Sequence, residues 1–465
     1  MEAYVILFWI SLPAIILAAL AGYLYGKKTV KKKIANEKAN LQQMVEAGDD
    51  DKQEKENHSI QRYEMVTVLF ADIVGFSEIT DSLDPEVLLF KLNDFFLYFD
   101  RIIDSYQIEK IKTMGDAYMC AGGILHKNRT NPIDVVMMAL EVQTHQKKMI
   151  ENNPNLWSMR IGIHTGPVIA GVLGQKKLSF DIWGNTVNVA ARLESSCQRG
   201  NINVSGTTYE KIKKYFDCEY NGKVPNTVED VSSYIVKGLK PEFIQKIIDG
   251  QIVTNNAFFI QMQLLRLVEI EEYVARMMIK TSKLYFHNIE HILSVYEHVE
   301  LLAYMENVED ENILLLKTAA LMHDIGYAVT YEIDIRDVSE NIARQSLPEF
   351  KYKPKQIDKI CELIRATYFN SIPKGILEEI MHDANHIYFG QAAYNKLMMN
   401  LLHELKEHNI KIEKNDWLKN RCNRLICHRF YTQSAINLAK MYENQQITSD
   451  DITSMISLYK YPKLV

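Results

Sequence analysis

Residues 65–73 read MVTVLFADI, a β-rich apolar run that ends in an acid, and residues 159–174 read MRIGIHTGPVIAGVLG, which predicts two strands around a tight turn. Between them, PEVLLFKLNDFFLYFDRIIDSY (85–106) sets apolar residues at helical spacing behind a proline start. KIKTMGDAYMCAGG (110–123) predicts two strands around a Gly-Asp turn, and NPIDVVMMALEVQTHQKKM (131–149) a helix. GNTVNVAARLESSC (184–197) opens with Gly-Asn and continues as an amphipathic helix. Strands that alternate with helices and include hairpins predict an α/β or α+β sandwich rather than a doubly wound sheet. Beyond about residue 255 the strands stop. AFFIQMQLLRLVEIEEYVARMMIKTSK, HILSVYEHVELLAYM, ILLLKTAALMHDIGY and DKICELIRATYF all carry helical periodicity, with Gly and Pro only at joints, so this half reads as all-α.

The chain of 465 residues has room for two or three domains. Its 47% hydrophobic and 24% charged residues exclude wholesale disorder and disulfide-scaffold classes. A net charge of −6 does not suit a broad nucleic-acid-binding surface, and no nucleic-acid partner is expected. The six cysteines form no CxxC pair and read as thiols in a reducing compartment. Residues 3–25, AYVILFWISLPAIILAALAGYLY, carry no charge. As a helix they would run about 34 Å, enough for a hydrocarbon core of about 30 Å. Lys27, Lys28, Lys31, Lys32 and Lys33 follow at once. Such a cluster marks a cytoplasmic flank and, with no basic residue ahead of the apolar run, favours a single-pass anchor over a cleaved signal peptide. The expectation is a cell-membrane protein with its other domains in the cytoplasm. Residues 26–62 read as a basic flank and polar linker.

Asp72 ends a strand and Asp116 sits in a hairpin turn. Two carboxylates at neighbouring strand ends suit hard, oxygen-loving cations such as Mg²⁺, with coordination positions left for phosphate. Neither a GxxxxGK[ST] nor a GxGxxG motif is present, so a nucleotide must be gripped by other means.

FADIVGFSEIT (70–80), KIKTMGDAYM (110–119), RIGIHTGPVIAGVLG (160–174) and FDIWGNTVNVAARLES (180–195) resemble, in order, the class III nucleotidyl cyclase catalytic domain. The resemblance spans about residues 63–245. It implies an α+β ferredoxin-like fold, a homodimer with ATP between subunits, and two Mg²⁺ or Mn²⁺ ions per site. By the same resemblance Asp72 and Asp116 bind metal, helped by the Ile73 carbonyl. Arg160 meets the terminal phosphates, Lys112 and Asp181 read the purine, and Asn188 and Arg192 serve the transition state. A phosphate-binding lysine is expected within Val236-Lys237-Gly238-Leu239-Lys240, with Lys240 the candidate. Asn188 and Arg192 are four residues apart and share a helix face. The base follows from hydrogen-bonding chemistry: adenine donates from N6 and accepts at N1, matching a carboxylate and an ammonium, so Asp181 and Lys112 indicate ATP rather than GTP. A homodimer would hold two equivalent sites, each combining Asp72, Asp116 and Arg160 of one subunit with Lys112, Asp181, Asn188 and Arg192 of the other.

The helical half contains FHNIEH (286–291), MHDIGY (322–327) and MHDAN (381–385). His, adjacent His-Asp and a distant Asp on separate helices can close on one transition-metal ion. The set is similar to the HD superfamily of metal-dependent phosphohydrolases, over about residues 275–440 of an all-helical domain placed at 255–465. The likeness implies His291, His323, Asp324 and Asp383 as metal ligands and His287 as proton donor to a leaving oxygen. Tyr327 stands where the HDxxH form has the second histidine that supports a second ion. His428 is a further candidate, more simply read as a packing residue. His287 and His291 also match HxxEH, the inverted zinc-protease motif. Two functions follow: an adenylate cyclase with a regulatory or hydrolytic HD domain, or a degenerate cyclase serving as a dimerising nucleotide sensor for an HD-domain cyclic-nucleotide phosphodiesterase.

Overall fold

The computed structural model describes residues 60–76, 80, 84–125, 127–152, 158–173, 179–225, 227, 230–248, 251–331, 334–444, 452, 455 and 456. The expected membrane helix at 3–25 and nearly all of the linker at 26–62 lie outside the described residues, among which no helix is long and apolar enough to cross a membrane.

The first half is built on one mixed sheet. Strands β1 (Gln61–Ile73), β2 (Glu109–Met114), β3 (Ala117–Gly122) and β4 (Met159–Leu173) are joined by helices α1 (Pro85–Ser105) and α2 (Asn131–Asn152). They order as β2-β3-β1-β4, all antiparallel, which is the ferredoxin-like arrangement. Beyond β4 the sheet continues through β6 (Ile202–Ser205), β8 (Ser232–Leu239) and β7 (Phe216–Lys223), while β5 (Ser179–Trp183) pairs with the far end of β4. Helix α3 (Asn185–Ser195) precedes β6 and the short α4 (Gly206–Ile212) follows it. Residues 66–71 of β1 are buried throughout, with Thr67 as the one polar residue, because both faces are covered. Leu69 and Ala71 pack with α1 and α2 residues such as Phe99 and Met138. Val66, Val68 and Phe70 join Val168, Ile182 and Ala190 on the other face.

The expected hairpin at 159–174 is not formed: β4 is one strand of 15 residues. The proline does not break it because β1 bulges alongside. Tyr63 pairs with Val168 and Val66 with Gly166, so Pro167 and its missing N–H fall opposite the extra residues. Gly162 in β4 has a different reason to be glycine. A Cβ there would lie 2.1 Å from the Glu194 backbone nitrogen and 2.5 Å from the Ala190 oxygen, so α3 crosses β4 directly on this residue.

A small hairpin of β9 (Ile244–Ile248) and β10 (Gln251–Thr254) follows, and Asn255 then caps α5 (Asn256–Ile279), its side chain accepting from Phe258 N. Polar side chains on α5 tie it in both directions. Arg266 donates to Thr130 Oγ1 at 3.1 and 2.9 Å, beside Asp134 at the start of α2. Gln263 exchanges hydrogen bonds with Gln356 and donates to the Lys351 carbonyl. The rest is helical as expected: α6 (Ile289–Met305), α7 (Asp310–Met322), α8 (Ile335–Ser346), α9 (Pro354–Ala366), α10 (Ile376–His386), α11 (Tyr394–Glu407), α12 (Lys414–Cys427) and α13 (Gln433–Glu443). α7 is the central rod, buried on all sides from Ile313 to Met322.

The Gly162 contact sets a test of how α3 is held. Gly162→Ala should cost about 1–3 kcal/mol or more through overpacking against helix backbone. Gly238→Ala, with nothing within 4 Å of the added carbon, should change stability by less than about 1 kcal/mol. Paired denaturant titrations check the difference.

Candidate functional site

Register assembles the first cluster. Asp72 near the end of β1 is the cross-strand partner of Arg160 near the start of β4. The guanidinium donates to Asp72 Oδ2 at 2.8 and 3.2 Å, and its Nε lies 2.5 Å from Glu194 Oε1 on α3. Asp116 reaches the same place through the Gly115-Asp116 turn, where Gly115 takes a φ of +62°. Burial raises the Asp116 carboxyl above its ordinary value, and the neighbouring Asp72 adds to the shift. Burial also pushes Glu194 up to about 7, with Asp72 reinforcing it and Arg160 opposing. Three carboxylates thus share one guanidinium. That acid surplus fits a divalent cation held by Asp72 and Asp116, beside Ile73 in the last position of β1. Glu194 is a residue that the sequence reading passed over, though it closes the ARLES stretch.

The second cluster lies on β2 and β5. Lys112 Nζ sits 2.6 Å from Asp181 Oδ2, and Asp181 Oδ1 accepts from the Ile182 backbone. The expected purine-reading pair is therefore already in contact. On α3, Asn188 is exposed and Arg192 half-buried, and neither side chain has a hydrogen bond or ion pair among the described residues. Lys237 is engaged by Glu219 at 2.6 Å, while Lys240 stands just ahead of the 3₁₀ turn at Pro241–Phe243.

In the helical half, His291 on α6, His323 at the end of α7 and the adjacent Asp324 place ligand atoms within 4.8 Å of one another, the only such trio among the described residues. Asp324 Oδ2 lies 3.2 Å from His323 Nε2 and 3.5 Å from His291 Nε2. His323 Nδ1 bonds the Ala320 carbonyl at 2.8 Å, which fixes the ring with Nε2 toward the cluster. Burial holds His291 down to about 3, that is, neutral. Asp324 stays below the carboxylate range despite burial, because His323 faces it.

The expected fourth ligand, Asp383, is not there. Its carboxylate is spent on the Tyr431 and Thr432 backbone N–H groups and the Thr432 hydroxyl, holding Thr432, the N-cap of α13. Asn385, two residues on, sits against both His291 and His323, its Oδ1 buried without a hydrogen bond. Two imidazoles, one carboxylate and an orphaned amide oxygen fit a single divalent cation with weaker charge compensation than the expected set. Tyr327 stacks on His287, ring centroids 4.0 Å apart. His287 Nδ1 lies 2.5 Å from Glu404 Oε1, and Glu404 Oε2 accepts from the Phe286 and His287 backbones. No local pattern marked Glu404, which comes from α11. The HxxEH reading fails on geometry: His287 precedes the α6 cap Asn288, and Glu290 faces solvent. His428 stacks on Phe389 beside His382 and His386, behind the cluster.

Comparison with known proteins agrees with this division. The profile of the adenylate and guanylate cyclase catalytic domain matches residues 58–238, and that of the HD domain residues 288–387. The chain thus carries a nucleotidyl cyclase domain followed by an HD domain. An adenylate cyclase of Mycobacterium tuberculosis is 35% identical over 173 residues, 37% of this chain and 39% of that protein. Human guanylyl cyclase C is 40% identical over 162 residues, 34% of this chain and 15% of that one. The guanylate cyclase domain of RhGC from Catenaria anguillulae, solved with GTP, shares 31% identity, covering 39% of this chain and all of that one, with a TM-score of 0.37. The match spans at most about two fifths of these curated relatives' length.

Two predictions follow from the local chemistry. Glu194 has a folded value of about 7 against 4.5. The stability tied to its protonation is complete below pH 4.5 and is lost as pH rises through about 7. Wild type should therefore lose stability relative to Glu194→Gln over that window, read as the difference in melting temperature. In the HD domain, Asp383→Ala should cost about 1–3 kcal/mol by orphaning the α13 cap without abolishing metal binding. Asn385→Asp should instead tighten divalent-metal affinity. Melting curves and metal analysis on both variants separate the two roles.

Proposed function

We propose that the chain is a membrane-anchored adenylate cyclase that works as a homodimer, converting ATP to 3′,5′-cyclic AMP and pyrophosphate, with its HD domain in a regulatory or phosphohydrolase role. The observation that carries the reading is the Lys112–Asp181 contact at 2.6 Å. An ammonium and a carboxylate held side by side present the donor and acceptor that adenine N1 and N6 require, and guanine would meet both with the wrong polarity. Asp72 and Asp116 would hold the metal ions. When bound, Mg²⁺ or Mn²⁺ there supplies Lewis-acid neutralisation of the attacking 3′-oxygen and the phosphates. Arg160 turns from Asp72 to the terminal phosphates, Asn188 positions the ribose, and Arg192 neutralises charge that grows on the reacting phosphate. Lys240 would add a contact to the phosphates.

The dimer is supported by what one subunit leaves unused. Asn188 and Arg192 have no partner side chain among the described residues, and Leu89, Phe90 and Met114 are exposed apolar residues on α1 and the β2–β3 hairpin. The apolar run at 3–25 and the lysines after it support the anchor and a cytoplasmic catalytic half.

Asp72→Ala and Arg192→Ala proteins should each fail to make cyclic AMP while remaining folded. Mixed, they should regain activity, since one of the two sites in the heterodimer is intact. Wild-type-like synthesis by Asp72→Ala, or heterodimers that stay inactive, would refute the shared-site reading. Lys112→Glu combined with Asp181→Ser should lower ATP use, measured against GTP.

A further inference from the structure

The His291–His323–Asp324 trio forms part of the wall of a cavity of about 540 Å³, inside the range of roughly 300–1,000 Å³ usual for small-molecule sites. Helix α12 closes its other side. Trp417, Asn420, Arg421 and Arg424 recur at helical spacing and all four line the cavity, while Leu418, Leu425 and Ile426 on the same helix are exposed. Its apolar anchor is Trp417, which packs with Phe286, Tyr394 and Met398.

The arginines on this face are uncompensated. Arg421 bonds the Asn395 side-chain oxygen and lies 5.2 Å from the Tyr394 ring centroid. Arg424 lies 5.1 Å from the Phe369 centroid. Neither forms an ion pair among the described residues. The third arginine of the cavity, Arg336, is neutralised by Asp334, and the remaining cavity acid, Asp324, belongs to the metal-fitting trio. Two guanidinium charges thus share the cavity with a trio able to hold a cation, and Tyr327, Phe369 and Tyr388 line the same space. Such a space joins unpaired guanidinium charge to aromatic walls. A phosphate suits the guanidinium groups, which grip its oxygens in a planar fork. A planar ring system suits the aromatic walls.

We propose that Arg421 and Arg424 form an anion subsite for the phosphate of a nucleoside monophosphate, cyclic or open, bound in the HD cavity with α12 as its lid. This rests on the reading of the HD domain as one that handles nucleotides, and it adds the residues that recognise the phosphate and the segment that covers it.

The test uses the full chain, after chelator treatment and after reloading with Mn²⁺, and follows amide hydrogen exchange in residues 414–427. That local readout is blind to nucleotide bound at the cyclase site. AMP or cyclic AMP should slow exchange in α12; adenosine, which lacks the phosphate, and pyrophosphate, which lacks the ring, should do so at least tenfold more weakly by concentration. Arg421→Gln/Arg424→Gln should weaken the nucleotide effect tenfold or more, and Arg421→Lys/Arg424→Lys should recover part of it by restoring charge. Equal protection by adenosine and AMP, or an undiminished AMP effect in the glutamine variant, overturns the proposal. Metal content measured on the same variants carrying Asp72→Ala and Asp116→Ala, so that uptake reports the helical half alone, keeps the readings apart. Arginine-dependent protection in protein that takes up no metal upholds the subsite and rejects the metal trio; metal uptake with arginine-independent protection rejects the subsite alone.

Discussion

Asp72 and Arg160 face each other across β1 and β4, and the cyclase half is arranged around that pairing. A strand register admits no half measures: a slip of one residue would send Asp72 to the opposite face and exchange Leu69 and Ala71 for Val68 and Phe70 against α1 and α2. The core therefore enforces the register, and the register sets the ion pair. Tyr118 pairs with Ala71 in the same ladder system, which carries the Asp116 turn to the end of β1. Gly162, two residues past Arg160, lets α3 lie on the strand and brings Glu194 to the other side of the guanidinium. One register thus fixes the spacing of all three acids and of the arginine between them.

Much of this was legible in the sequence because it is local. Periodicity and caps marked α1, α2 and most later helices, and Gly115-Asp116 marked a hairpin. The β4 hairpin was misread for a physical reason. Gly and Pro are turn signals when a segment is taken alone, but the proline's missing donor is harmless where the neighbouring strand bulges, and the neighbour is a hundred residues away in sequence. Asp383 misled in the same manner. His-Asp in an apolar helix resembles a ligand pair, yet which of two residues two positions apart faces the cluster depends on where α13 begins. The carboxylate went to the Tyr431 and Thr432 N–H groups that lead into that helix, and the amide went to the metal-fitting site. Glu404 was beyond reach of local reading, since only the fold brings α11 to His287.

The two halves differ in how their polar groups are balanced. In the cyclase half acids outnumber the base they surround, and Lys112 and Asp181 neutralise each other while Arg192 is left free. In the HD half the reverse holds at the cavity, where Arg421 and Arg424 outnumber the acids open to them. Each half thus leaves a charge that its own side chains do not satisfy. Such imbalances mark where a cation or a phosphate would find its counter-charge.

The junction at Asn255 has a mechanical meaning. Thr254 closes β10 and Asn256 opens α5, so no slack separates sheet from helix. Gln263 and Arg266, one helical turn apart, then key the helix to opposite halves. A helix advances by about 100° per residue, so a single insertion between cap and keys would swing the helical half around the axis by more than a quarter turn; Gln263 would travel with that half, and the Arg266–Thr130 key would be torn loose. An insertion of seven would return it to within about 20°. Seven inserted residues would also carry Arg266 about 10.5 Å along the axis, beyond reach of Thr130, so the halves are geared in rise as well as phase, and chimeras that exchange either one must keep the length from Asn255 to Arg266.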